Sequence, residues 1–151
     1  MFVYRLTTRK YAEKLDGVGA SLYNNRWNSA GTPMIYTAEN RALALAEIVV
    51  HLSAAALPLD YVMLEIEIPD SVKFDEISVD QLESDWNAFP HKISTQKLGD
   101  EFIRRRKDLI LKVPSAVVHG DFNILINPLH EGIDKVKVVV IQDFPLDKRL
   151  F

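Results

Sequence analysis

Asn25-Arg26-Trp27-Asn28-Ser29-Ala30-Gly31, then Met34-Ile35-Tyr36-Thr37, then Arg41-Ala42-Leu43-Ala44-Leu45-Ala46-Glu47-Ile48-Val49-Val50-His51-Leu52, reads as loop, short strand and helix. Pro33 precedes the strand, and Thr37 or Asn40 can cap the helix, which is expected to run to about Ala55, ahead of Pro58. That helix is apolar on nearly every side, and Glu47 is its only acid. A lone carboxylate in so apolar a helix is costly to bury unless it has a partner or a function. Arg26 and Tyr36 supply a guanidinium and a phenol close by, and the setting is expected to bury all three. Together they suit an anionic, aromatic ligand.

Outward from this unit, Phe2 to Leu6 reads as a first strand and residues 10–24, with Gly17 and Gly19, as an irregular connection. Tyr61 to Ile68 alternates, placing Val62, Leu64, Ile66 and Ile68 on one face and Glu65 and Glu67 on a wet one. Residues 71–90 carry no clear period. Ser94 or Thr95 is expected to open a second helix through Leu98, Phe102 and Ile103 to the basic end Arg104-Arg105-Arg106-Lys107, which suits the helix dipole. Three short strands are expected at Leu109–Lys112, Ala116–His119 and Asn123–Ile126. A turn at Asn127-Pro128, a helical turn within 128–134 and a β-branched strand from Val136 to Gln142 follow. Two helices among many short strands, without regular alternation, predict an α+β fold rather than a doubly wound sheet. With neither repeats nor linkers, one domain over residues 1–151 is expected.

The 151 residues suffice for a proper core, and 48% hydrophobic with 26% charged residues is ordinary for a globular chain. A net charge of −3 offers no basic surface for nucleic acid. The chain has no cysteine, which removes disulfides, thiolate nucleophiles and cysteine-ligated zinc. Neither a signal-peptide pattern nor an apolar run of membrane-spanning length is visible, so cytoplasmic residence without a membrane role is the default expectation.

Arg26 offers a planar fork of donors suited to phosphate or carboxylate, or it is a surface arginine stacked on Trp27 or paired with an acid. Tyr36 either stacks on a heterocycle or is a core tyrosine with a satisfied hydroxyl. Glu47 shares a helical stripe with Leu43 and Val50. Two readings stand for it: stabilising a positive ribosyl centre during glycosidic cleavage, or a structural carboxylate held by Arg26, Arg5 or backbone donors. Glu47 and His51, one turn apart, could join His119 or His130 on a metal, but HExxH, a close histidine pair and an acid-rich loop are all lacking, so no metal is assigned. Ser115 follows Pro114 outside any G-x-S-x-G context, which argues against a triad. Trp86 and Phe89 are either core or a partner surface.

Asn25-Arg26-Trp27-Asn28-x-x-Gly31, Ile35-Tyr36-Thr37-Ala38 and Ala42-Leu43-Ala44-x-x-Glu47 resemble, in this order, the first half of the RES domain. Val113-Pro114-Ser115-Ala116-Val117-Val118, Asn123-Ile124-Leu125-Ile126-Asn127-Pro128-Leu129-His130 and the closing Phe144 to Leu150 resemble the rest. The resemblance implies a core like that of ADP-ribosyltransferases and the toxin half of a RES–Xre toxin–antitoxin pair. It also implies NAD+ consumed as a substrate, no separate cofactor, and cleavage of the nicotinamide–ribose bond by water or phosphate. Transfer of ADP-ribose to a protein is the alternative, and a non-catalytic nucleotide- or partner-binding module a further one. The family's arginine, glutamate and serine map onto Arg26, Glu47 and Ser115. Glu47, Arg26 and Tyr36 are then the expected catalytic residues, and Ser115, Asn28 and Asn123 join Arg26 and Tyr36 in binding NAD+. The implied partner is an Xre-type helix-turn-helix antitoxin, with a homodimer within that complex among the assemblies allowed.

Overall fold

The computed structural model describes residues 1–53, 55 and 57–151. Seven strands form one sheet: β1 (Phe2–Thr8), β2 (Ile35–Ala38), β3 (Tyr61–Glu67), β4 (Phe74–Glu76), β5 (Ile110–Pro114), β6 (Phe122–Ile126) and β7 (Lys137–Asp143). Among the described residues three α-helices accompany it: α1 (Val18–Ser21), α2 (Arg41–Val49) and α3 (Ile93–Arg105). The hydrogen-bonded order is β4-β5-β6-β2-β1-β3-β7, antiparallel except for β4 beside β5. Strands and helices do not alternate regularly, and the fold is α+β, as expected.

The sheet has a seam. β1 pairs with β3 along its whole length, from Phe2↔Glu67 to Thr8↔Tyr61, yet it registers with β2 at one pair, Tyr4↔Ala38. β2 in turn pairs fully with β6, Ile35↔Ile126 to Ala38↔Asn123. Beyond Tyr4 and Ala38 the two central strands part. One face carries an apolar cluster that includes Val3, Ile35, Leu64, Ile66 and Ile126. On the other, Leu6, Ala38 and Met63 meet Leu43 and Ala44 of α2, while Leu111, Val113 and Leu125 meet Trp27, Trp86 and Phe102.

Several expectations are corrected by packing. Tyr61 and Met63 are buried beneath α2, so β3 has no wet face over its first half, and Glu65 pairs with Arg41 at the helix start. α2 ends at Val49 because the chain tightens to three-residue bonds, His51 N–H to Ile48 O (3.0 Å) and Leu52 N–H to Val49 O (3.1 Å). Ala54, within the longer helix expected, lies outside the described residues. The cap is Asn40, whose side chain accepts from Leu43 N–H at 2.8 Å. Asn40→Ala should therefore cost about 1 kcal/mol, read as a lower urea midpoint at unchanged slope. An unchanged midpoint would remove the cap from this account. α3 begins at Ile93 without a side-chain cap; Thr95 donates instead to Lys92 O at 3.1 Å. The strand expected at Ala116–His119 is a bend running into a turn at Gly120, whose φ of 93° suits glycine. Its cause is Ser115, described below. β4 lies within the span that had no readable period.

Candidate active site

A cleft of about 710 Å³ opens where β1 and β2 part. Arg26 reaches it from the loop before β2, Tyr36 from β2, Glu47 from α2 and Asn123 from β6. None of the first three is fully buried: each is half-buried, with a surface toward the opening. α2 accordingly buries Leu43 and Ala44 completely and leaves Glu47 at the edge of its inward stripe.

Glu47 is held from across the sheet. The Ser115 hydroxyl donates to Glu47 Oε1 at 2.9 Å, and Ser115 Oγ accepts from Val117 N–H (3.1 Å) and Val118 N–H (3.0 Å). Those two bonds curl the chain after β5 into the bend, which is why the Val117-Val118 pair does not extend as a strand. They also occupy the serine oxygen with two incoming donors, so its one proton is directed to the carboxylate. Oε2 of Glu47 is left free of protein donors among the described residues. Ser115→Ala removes the clamp and strands two backbone amides. It should lower turnover roughly tenfold to a hundredfold with a smaller change in KM, measured by initial rates. Wild-type turnover in that variant would make the bond incidental.

The loop bearing Arg26 is fixed to α3. Gln96 donates to Asn25 O at 2.9 Å, and Asp100 accepts from Ser29 N–H at 2.9 Å and from Ser29 Oγ at 2.5 Å. Gly99 between them lets the helix backbone lie directly on Trp27. Arg26 uses Nη1 to reach Trp86 O (2.9 Å) and Ala88 O (3.1 Å), with the guanidinium carbon 6.0 Å from the centre of the Trp86 ring. The ring beside it is thus Trp86, not Trp27. One arm anchors the fork, and the remaining donors are left for an anion. Burial lowers the guanidinium pKa, while the field of Glu47 opposes the shift.

Tyr36 donates to Asn28 Oδ1 at 2.6 Å and accepts from Trp27 N–H at 3.2 Å. Burial of the hydroxyl pushes its pKa far above the usual tyrosine range, so it works as a neutral donor and its ring as a surface. Asn28, expected to bind ligand, is completely buried. Its amide donates to the carbonyls of Ala20, Tyr23, Ser29 and Thr32, so it holds the loop and orients Tyr36 without reaching the cleft. Asn123 lines the cleft and donates weakly to Thr37 O at 3.4 Å. Asn127 is buried, tying the end of α3 to the following turn through Ile103 O (3.1 Å) and Leu129 N–H (2.9 Å).

Three further residues line the cleft: Arg5, which the sequence offered as a holder of Glu47, His51, which it offered as a metal candidate, and His91, which it missed. Arg5 of β1 lines the parted edge and makes no side-chain hydrogen bond among the described residues; burial lowers its pKa, partly offset by Asp16. His91 and His51 line the same space. His91 Nδ1 is buried without a partner among the described residues, and burial, then the charges of Arg26 and His51, lower its pKa. Trp86 is core, stacked near Trp27 at 6.2 Å, whereas Phe89 is 78% exposed at the mouth. Among the described residues no group of three His, Asp or Glu is placed to share a metal ion, and no helix is long and apolar enough to cross a membrane.

A sequence model described as the RES domain matches residues 2–148. A protein called Toxin Res from Photorhabdus laumondii is 38% identical over 152 residues, covering 99% of this chain and 97% of its own length. A Prs ADP-ribosylating toxin from a Sphingobium species is 34% identical, covering 92% of this chain and 88% of its own. Among solved structures, a chain of the M. tuberculosis MbcT–MbcA toxin–antitoxin complex superposes with a TM-score of 0.71 at 19% identity, over 99% of this chain and 85% of that one. That likeness concerns the fold.

Proposed function

The chain belongs to the RES domain family, and from that premise we propose that it is the enzymatic toxin of a toxin–antitoxin pair, consuming NAD+ by breaking the nicotinamide–ribose bond. The observation that carries this reading is the Glu47 carboxylate, held through Oε1 by Ser115 at 2.9 Å beside a half-buried guanidinium in one cleft. NAD+ brings a pyrophosphate, which suits the free donors of Arg26, and flat rings, which suit Tyr36. Oε2 of Glu47 takes a hydroxyl of the nicotinamide ribose. As the C1′–N bond lengthens, nicotinamide departs as a neutral base and the sugar becomes an oxocarbenium-like cation. The fixed carboxylate stabilises that charge without reorganising. Water then adds at C1′ and sheds a proton; with phosphate as acceptor, a phosphate oxygen forms the new bond instead. Asn123 borders the site as a further polar contact.

A second reading, favoured by the ADP-ribosylating toxin at 34% identity, makes a host protein the acceptor. Incubating the purified chain with NAD+, with and without phosphate, and identifying the products separates water from phosphate. Labelled NAD+ in a lysate tests for a protein acceptor: a discrete labelled band without bulk NAD+ loss would sink the degradation reading. The partner proposed is a helix-turn-helix antitoxin that blocks the cleft, in keeping with the toxin–antitoxin complex that supplied the superposed chain.

A further inference from the structure

The short segment before α3 brings three side chains to the cleft that the chemistry at Glu47 leaves unused. Among the described residues, His91 Nδ1 is the one buried side-chain nitrogen or oxygen without a hydrogen bond. An orphaned buried polar atom is costly, and one that belongs to a cleft-lining residue is satisfied when a ligand brings the missing partner. Phe89 stands perpendicular to the His91 ring, with centroids 5.5 Å apart, and is 78% exposed. Tyr23, also in the cleft lining, is 68% exposed. Two large aromatic rings left in water beside a ring nitrogen without a partner match a flat heterocycle with a polar edge.

The position of this corner relative to Arg26 says which heterocycle. Arg26 Nη1 donates to Trp86 O and Ala88 O, so the guanidinium is fastened to the same segment that carries Phe89 and His91. Glu47 is fastened elsewhere, to Ser115 after β5, yet its field reaches Arg26, and the field of Arg26 reaches His91. In a dinucleotide the pyrophosphate joins two nucleosides. With the pyrophosphate on Arg26 and the nicotinamide ribose on Glu47, the second nucleoside falls to the segment that Arg26 itself holds. Burial, then the charges of Arg26 and His51, keep the imidazole below the usual histidine range. A neutral ring suits the edge of a base and adds no cation for a further phosphate. We propose that His91, Phe89 and Tyr23 form the adenine subsite, in which the base lies against the two aromatic rings and its polar edge supplies the hydrogen bond that His91 Nδ1 lacks. The proposal rests on the reading of NAD+ as substrate and assigns the half of that molecule which the reaction does not alter.

Calorimetric binding to Glu47→Gln, in which turnover is suppressed, tests the subsite by comparing NAD+ with nicotinamide mononucleotide, which lacks the AMP half. NAD+ should bind roughly a hundredfold tighter, from one stacked base and one hydrogen bond at about tenfold each. On that background His91→Phe keeps an aromatic ring and removes the nitrogen, and it should narrow the ratio about tenfold. Phe89→Ser alters an exposed side chain, so the fold is kept, and it should narrow the ratio by a similar factor, about tenfold. A general disturbance of the cleft weakens both ligands together and leaves their ratio unmoved. AMP alone should compete with NAD+ and lose affinity with the same two substitutions. Equal affinity for NAD+ and nicotinamide mononucleotide overturns the subsite, as does a ratio that neither substitution changes. NAD+ consumption by the wild-type chain would in those cases leave the reaction standing. AMP binding that responds to His91→Phe, in a chain that never consumes NAD+, keeps the subsite and removes the reaction.

Discussion

Glu47→Gln is expected to lower NAD+ turnover by roughly a thousandfold while leaving the melting temperature unchanged. The substitution is nearly isosteric, and the glutamine oxygen still accepts the Ser115 proton, so the bend after β5 and the seat of α2 are preserved. What disappears is the negative charge facing the ribose when its positive charge develops. The loss should therefore fall on kcat, with KM little altered, because in the proposed binding mode ground-state NAD+ makes most of its contacts with Arg26 and Tyr36. Nicotinamide release measured under saturating NAD+ reads this directly, and growth arrest on expression should vanish in parallel. A folded variant with full turnover would sink the assignment of Glu47, whatever the fate of the family reading.

Gly99→Ala is expected to produce the largest loss of stability of any single methyl added to this chain. A Cβ at that position would lie 1.6 Å from the Trp27 carbonyl oxygen and 2.6 Å from its carbon, both main-chain atoms with nowhere to turn. Alanine normally stabilises a helix interior relative to glycine, so the sign here is set wholly by the contact. α3 must withdraw from the Arg26 loop, straining the Gln96–Asn25 and Asp100–Ser29 bonds. About 3 kcal/mol or more is expected, a fall in melting temperature of roughly 6–12 °C for a chain of this size. Activity should suffer even where the variant folds, because the same loop aims Arg26. Wild-type thermal stability in Gly99→Ala would refute this packing.

Local pattern made much of the architecture legible. The alternation of Tyr61 to Ile68, the β-branched run after Val136 and the apolar helix behind Asn40 each announce an element within a residue or two of its observed start. Longer-range facts were hidden for identifiable reasons. Ala116-Val117-Val118 has strand composition, and only the acceptance of two amides by Ser115 bends it. The second face of β3 reads as wet until α2 is laid across Tyr61 and Met63. In the site, Arg26, Tyr36, Glu47 and Asn123 share one cleft, and Ser115 stands behind Glu47. Asn28 lies in the same motif, but its burial follows from four carbonyls of its own loop, which no spacing reveals. Arg5 and His91 arrive from distant parts of the chain, and sequence order carries no trace of that meeting.

The single pair joining β1 to β2 makes the sheet two plates fastened by one rivet at Tyr4 and Ala38, with α2 as a strut across the gap. The cleft there is lined from both plates, by Arg5 on one side and Tyr36 on the other, so a substrate proposed to bind in it would touch both. Occupancy then acts as cross-bracing: sliding or splaying of one plate against the other must deform the ligand as well as the protein. The cleft proposed for the chemistry is thus also the place where the sheet is tied least, and whatever fills it braces the two halves there.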